Sequence, residues 1–247
     1  MKGALSVAAV LAWAPTVAAQ PAPDAGGSGL SLTTLLALGA LSLVPFFLMA
    51  TTSFVKLSIV FTVLRNALGT GQVPSGAIIT AFAAILTAYV MAPVAAQVAE
   101  VTAEPASAVD LEAPLSSDSR AALWTSVDRG KEPVRDFLRR NSGERERQLF
   151  LGLARRARPD DPLEVQETDV LVVAPAFLIT ELKEAFQIGF FVLLPFLVVD
   201  LVVANILTAL GMVMLSPSTV ALPLKLLLFV LVDGWYVLSE ALILGYA

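Results

Sequence analysis

The residues of this sequence that could do chemistry are polar side chains placed inside apolar stretches. The stretch LPFLVVDLVVANILTALGMVML carries Asp200 and Asn205 near its middle. The surrounding apolar region keeps six more charges: Glu181, Lys183, Glu184, Lys225, Asp233 and Glu240. A charge near the centre of a bilayer costs about 2.5–3.5 kcal/mol, so these side chains need partners or water. Asp200 could act as a proton relay, or it could form a structural ion pair or hydrogen bond at a subunit contact.

Spacing limits how these charges can pair. Lys225 and Asp233 are eight residues apart and share a helix face, so they can pair only through longer-range or inter-subunit geometry. Lys56 and Arg65 in FVKLSIVFTVLRNALG are nine residues apart, roughly 900° of helix at about 100° per residue. They therefore lie on opposite faces, and we expect this helix to contact protein or water rather than lipid alone.

Composition excludes several kinds of chemistry. The chain has no Cys and no His, which excludes disulfides, cysteine metal sites and histidine acid–base catalysis. There is no pairing of a nucleophile with a base, and GTGQVPSG lacks the lysine of a phosphate-binding loop. The net charge of −5 argues against a nucleic-acid partner. We therefore expect no enzyme activity and no cofactor.

Hydropathy and charge divide the chain into blocks. It is 57% hydrophobic with a mean hydropathy of +0.79, whereas soluble domains are about 45–50% apolar. Residues 98–169 hold 26 of the 37 charged residues. This pattern predicts a membrane protein with an apolar block at 30–98, a polar domain at 99–169 and a second apolar block at 170–247.

The N-terminal residues have the pattern of a secretory signal peptide. Lys2 is followed by an apolar run and by Val17-Ala18-Ala19, which predicts residues 1–19 as the signal peptide and cleavage after Ala19. An uncleaved anchor is the alternative. Residues 20–29 form a Pro/Gly/Ser linker. Cleavage places the start of the mature chain outside the cytoplasm, so the polar domain is expected to be periplasmic.

Periodicity and turn signals predict the elements within the blocks. The first block contains a long bent helical element at Leu30–Leu68, a turn at Gly69–Gly76 and an apolar span at Ala77–Val98. The polar domain begins irregularly and then has two amphipathic helices around Asn141-Ser142-Gly143. The second block contains two spans, Ile188–Ala209 and Val220–Tyr246.

Several long motifs resemble one family. They are TSFVKLSIVFTVLRNALGTGQVPSG, ELKEAFQIGFFVLLPFLVVDLVVANILTALGMVMLSP, LPLKLLLFVLVDGW and EPVRDFLRRNSGERERQLF. From about residue 30 onward the chain is similar to the FliP/SctR family, whose virulence-type members are also called YscR or SpaP. Members of this family are membrane components of the export apparatus of type III secretion systems.

The resemblance implies an all-α membrane protein of helical hairpins with a small helical periplasmic domain. Five copies are expected to join FliQ/SctS-like and FliR/SctT-like subunits, with an SctU/FlhB-like switch protein, in the secretion basal body of the bacterial inner membrane. Unfolded secreted proteins pass through the axial pore of this assembly. Lys56, Asn205 and Ser216 look more like the virulence branch than the flagellar branch.

The resemblance also implies site residues. A methionine loop that closes the pore matches Met212, Val213 and Met214, and many members have a third methionine where this chain has Val213. Gly211 would free the backbone to turn there. The alternative is that these methionines are ordinary packing residues at a helix end. Phe190 and Phe191 lie near the family's pore-lining region.

The remaining polar residues are expected to contact other helices or other subunits. They are Lys56, Arg65, Asp200, Asn205, Lys225 and Asp233. The alternative function is an ion-coupled secondary transporter using Asp200 and Lys225. Such a transporter would be expected to show internal repeats, and residues 30–98 and 170–247 are alike only in hydropathy.

Overall fold

The computed structural model describes residues 39, 42–43, 45–71, 73–109, 116–157, 165–212 and 214–246. The chain divides into two units, Met1–Leu43 and Val44–Ala247, and every helix named below lies in the second. Over the described ranges the chain is helical and contains no strand. The expected signal peptide, the linker and most of residues 30–44, the start of the expected helical element Leu30–Leu68, lie outside the described residues.

Seven helices are given bounds in the described part of the second unit. They are α1 Phe54–Leu68, α2 Gly76–Ser107, α3 Ser117–Arg140, α4 Glu144–Ala157, α5 Val170–Ala209, α6 Pro217–Leu231 and α7 Gly234–Leu244. A short helical stretch at residues 45–50 precedes α1 and is separated from it by a turn.

Helix α1 forms the centre of the largest hydrophobic core. Leu57, Val60, Phe61 and Leu64 are at most 1% exposed, and their spacing places them on one helix face. This face packs against α2 and α5. The expectation that this apolar helix contacts protein is therefore confirmed.

Helices α2 and α5 are the two described helices that are long and apolar enough to cross a membrane. Their 32 and 40 residues correspond to lengths of about 48 and 60 Å. The hydrocarbon core of a bilayer is only about 30 Å thick. Each helix is therefore long enough to carry a membrane span and a further segment on which other helices pack.

The expected span Val220–Tyr246 is not one continuous helix. Helix α6 ends at Leu231, and α7 begins at Gly234 with a bend of 59° between them. Asp233 has a φ of +50° at this break, a left-handed conformation that interrupts the helical hydrogen bonding. Together α6 and α7 make a third membrane crossing only if the bent pair is one broken span.

The polar part of the chain confirms the two expected helices, which are α3 and α4 on either side of Asn141-Ser142-Gly143. Two helices extend beyond the spans expected within them. Helix α2 continues to Ser107 through Pro105, and α3 lies along this extension, with Arg129 Nη1 2.8 Å from Glu104 Oε2. Helix α5 begins at Val170 rather than near Ile188, because Val172, Val173 and Phe177 are buried in the cores shared with α2, α3 and α4.

Candidate functional site

The first buried group of charges surrounds Lys56 and is called here the Lys56 cluster: Lys56, Glu181, Glu184 and Tyr246. Lys56 Nζ lies 3.0 Å from Glu181 Oε1 and 2.7 Å from Glu184 Oε2. The Tyr246 hydroxyl donates to Glu181 Oε2, and Lys56 Nζ lies 4.1 Å from the centre of the Tyr246 ring. The side chain of Glu181 is fully buried, so its charge depends on these partners.

The sequence predicts polar contacts for Lys56 and partners or water for Glu181 and Glu184, but it gives no expectation for Tyr246. Glu181 and Glu184 are three residues apart on α5, which puts both carboxylates on one helix face. From that spacing one could have predicted that both carboxylates bind the same cation. Nothing in the pattern around Tyr246 indicates that it meets Glu181, because their contact depends on how α7 folds back.

A polar cavity of about 190 Å³ lies beside the Lys56 cluster. The turn between α3 and α4 lines it, and Gly143 N donates to Thr180 Oγ1 at 2.8 Å. Thr180 is the residue before Glu181 and donates in turn to Ala176 O within α5 at 2.8 Å. The polar helices are thus joined to α5 directly beside the buried carboxylate.

A second contact joins the polar helices to α5 nearby. Lys183 Nζ on α5 lies 3.3 Å from Glu146 Oε1 on α4. The pKa of Glu146 is lowered from its ordinary value, chiefly because the carboxylate accepts from its own backbone N–H and also because Lys183 is close. The ionised carboxylate is therefore the form that this contact favours.

The second group of charges, in which Lys225 is buried and Asp200 is partly exposed, is called here the Lys225 cluster: Lys225, Asp200 and the carbonyl of Ala67. Lys225 Nζ donates to Asp200 Oδ2 at 2.6 Å and to Ala67 O at 3.1 Å. Ala67 lies in the last turn of α1, where free carbonyls and the helix dipole favour a cation. One lysine on α6 therefore ties α5 and α1 together within a single chain.

The other predicted polar residues do not join these clusters. Asp233 is exposed at the break before α7 and is not paired with Lys225, which turns to Asp200 instead. Arg65 is half-buried and its Nε has no hydrogen-bond partner among the described residues. Asn205 is exposed on α5.

The α5–α6 hairpin extends beyond the end of α1. Asp200 lies level with Ala67 because Lys225 contacts both, and Leu210 is ten residues further along α5, a distance of about 15 Å. In the part of the chain that the structure describes, Val203, Leu207 and Ala221 form a buried cluster between the two arms of this extension. The hairpin tip therefore lies beyond the last turn of α1.

The hairpin tip contains the predicted methionine loop. Met212 N donates to Leu207 O, and Gly211 between them has a φ of +75°, an arrangement that ends helices where glycine supplies the left-handed residue. The expected role of Gly211 in the turn is confirmed. Met212 is 43% exposed and Met214 is fully exposed, while Val213 lies outside the described residues.

Phe190 and Phe191 lie elsewhere on α5. Both are exposed, at 56% and 68%, and their ring centres are 6.0 Å apart. They precede the tip by about twenty residues, which corresponds to about 30 Å of helix. Within one chain the structure does not bring these aromatic residues to the methionines.

The fold and these two clusters define an all-α membrane protein whose buried charges join helices. The chain belongs to the FliP family, whose family model matches residues 37–242. It is 42% identical over 233 residues to the flagellar biosynthetic protein FliP of Pectobacterium carotovorum subsp. carotovorum, covering 93% of this chain and 85% of that protein.

Relatives from virulence systems match at similar identity. The Yop proteins translocation protein R of Yersinia pestis is 39% identical over 217 residues, covering 87% of this chain and 96% of that protein. The surface presentation of antigens protein SpaP of Salmonella typhi is 39% identical over 229 residues, covering 89% and 97%. The expected resemblance to the FliP/SctR family is confirmed.

Proposed function

We propose that this chain is a pore-forming subunit of a type III secretion export apparatus, through which unfolded proteins cross the bacterial inner membrane. Its FliP-family membership supports this function, and the names of its relatives refer to flagellar biosynthesis and to Yop translocation. Such a subunit is a structural component and not an enzyme. These relatives speak against the alternative of an ion-coupled transporter.

The observation that carries the proposal is the α5–α6 hairpin with its exposed methionine tip. The tip extends about 15 Å beyond the α1 end, and Met214 there is fully exposed among the described residues. Methionine side chains are unbranched and polarisable, so they can close against one another and yield to different passing chains. Met212, Val213 and Met214 are therefore our candidates for the seal of the pore.

The exposed apolar surface supports assembly into an oligomer. Many large hydrophobic side chains on α5 and α6 are more than 50% exposed, among them Phe186, Phe190, Phe191, Val198, Leu201, Leu227 and Val230. In the proposed complex this surface is covered by further copies, five in all, and by FliQ/SctS-like and FliR/SctT-like subunits. An SctU/FlhB-like switch protein joins the same apparatus.

The proposed location follows from the same assignment. The chain is a multi-pass protein of the bacterial inner membrane and part of the secretion basal body, with α3 and α4 in the periplasm. In this arrangement the Lys56 cluster lies where the periplasmic helices meet the apolar helices. Asp200 and Lys225 lie deeper along the α5–α6 hairpin.

Co-purification tests the function. The full chain is expressed with its neighbouring genes and purified in mild detergent, and the mass and composition of the particle are measured. We expect one large particle that holds several copies of this chain together with small hydrophobic subunits. A monomer or dimer that binds a small solute would overturn the export-apparatus assignment and favour the transporter.

A further inference from the structure

Helix α7 begins at a break that has the features of a hinge. Asp233 adopts a φ of +50°, which is uncommon for a residue other than glycine, and the axes of α6 and α7 differ by 59°. A Cβ at Gly234 would overlap the ring of Phe229, so the glycine allows α6 and α7 to approach closely at this point. The two helices are therefore separate elements that meet at residues 232–234.

Beyond the hinge, an apolar groove of about 530 Å³ lies between α7 and α5, and its lining includes Phe191, Val192, Phe196, Gly234, Val237 and Leu238. The rest of the helix packs against the main core. Leu238 and Leu242, four residues apart, are buried there, and Trp235 packs edge-on against Phe82 of α2.

The end of α7 is held by Tyr246, which contacts three other helices. Its hydroxyl donates to Glu181 on α5, and its ring faces Lys56 Nζ on α1 at 4.1 Å. The same ring stacks on Phe137 of α3, with centres 6.1 Å apart and planes 18° apart. Polar, cation–π and aromatic contacts converge on this one side chain.

We propose that α7 is a hinged strap that Tyr246 clasps to the Lys56 cluster. The strap turns at residues 232–234, packs Leu238 and Leu242 against the main core beside the apolar groove, and is fastened at its far end by Tyr246. When the clasp opens, α7 moves about the hinge, the groove changes shape, and Glu181 loses its hydroxyl donor. The contact between Tyr246 and Phe137 thereby couples the polar helices to the position of α7. This coupling does not depend on the proposed export function.

Distance measurements between spin labels test the strap. The chain contains no cysteine, so introduced cysteines are labelled without background. One label pair joins Glu240 on α7 to Gln187 on α5, and the control pair joins Thr62 on α1 to Gln187; all three side chains are exposed. We compare the wild type with Tyr246→Leu, which removes the hydroxyl and the aromatic ring, in the full chain in detergent.

We expect a single narrow distance peak for Glu240–Gln187 in the wild type and a second, shifted population in Tyr246→Leu. The control pair should keep its distance in both proteins. Tyr246→Phe keeps the ring and loses only the hydroxyl, so its second population should be smaller than that of Tyr246→Leu. An unchanged Glu240–Gln187 peak in both variants would overturn the proposal, and so would an equal change in the control pair, which would indicate general loosening.

Discussion

Lys225 and Asp200 are 25 residues apart in sequence, and their side chains meet at 2.6 Å across the two arms of the α5–α6 hairpin. The same ammonium donates to Ala67 O at the end of α1. This lysine thus ties the hairpin to the end of α1, beside the core contact between Phe196 of α5 and Phe229 of α6. Lys225 is therefore one of the contacts that set the position of the methionine tip.

Replacing the lysine with an apolar side chain of similar length should destabilise the protein. Lys225→Met leaves the carboxylate of Asp200 and the carbonyl of Ala67 without their cation. Loss of one partner of a buried pair costs about 3–5 kcal/mol, and the partial exposure of Asp200 places the expected loss at the lower end, about 3 kcal/mol. The free energy of unfolding in detergent measures this change.

The double variant Asp200→Leu with Lys225→Met is the matched comparison, because it leaves no unpaired charge. It should recover part of the stability lost in Lys225→Met, as buried pairs replaced by apolar residues often do. A double variant that is less stable than the sum of the two single variants would contradict the pairing. A secretion assay on Asp200→Asn distinguishes the two possible roles of that carboxylate, a proton relay and a structural ion pair. Intact secretion would exclude the proton relay.

Mutations in the Lys56 cluster should lower the free energy of unfolding more than those in the Lys225 cluster, because the side chain of Glu181 is fully buried. Lys56→Met leaves that carboxylate with only the Tyr246 hydroxyl, and we expect a loss of about 3–5 kcal/mol. Glu184→Gln is the control. Its side chain is 46% exposed, so its loss should stay below about 1 kcal/mol. Equal losses for the two variants, measured by denaturant unfolding, would show that burial does not decide the cost.

The sequence predicted the local features of this structure better than its pairings. Residues 141–143 and Gly211 act locally, so turn chemistry and periodicity were enough to place the α3–α4 turn and the end of α5. The partner of Lys225 was not predictable from spacing. Lys225 and Asp233 would share a helix face in a continuous helix, but α6 ends before Asp233, and Lys225 pairs with Asp200 on α5 instead. The Lys56 cluster combines residues from α1, α5 and the segment after α7, and only tertiary packing brings these together.

The contact between Gly143 and Thr180 should hold the α3–α4 turn against α5. Thr180→Val keeps the shape of the side chain and removes the acceptor of the Gly143 N–H, at a cost of about 1 kcal/mol. Hydrogen exchange at the Gly143 amide should become faster. Thr87→Val is the control, since the Thr87 hydroxyl donates to Ala83 O within its own helix. Equal exchange rates at Gly143 in Thr180→Val and the wild type would exclude this hydrogen bond.

Acid should weaken the contact between α4 and α5. The pKa of Glu146 is lower in the folded protein than its ordinary value of 4.5, so the ionised carboxylate stabilises the fold. This contribution is complete above that ordinary value and is lost as the pH falls through the lower, folded value. The melting temperature of Glu146→Gln should therefore fall less than that of the wild type below about pH 4.5. An equal fall for Glu146→Gln and the wild type would contradict this contribution.

The methionine tip should control leakage through the assembled complex. Met212→Ala with Met214→Ala shortens both side chains at the hairpin tip, and a seal built from them should then leave an open path. We expect a clear increase in ion conductance when the complex is reconstituted into a planar bilayer. Met49→Ala is the control, because Met49 is similarly exposed, at 47%, but lies in the helical stretch before α1. If the tip variant conducts no more than this control, the methionines are ordinary packing residues and the seal lies elsewhere.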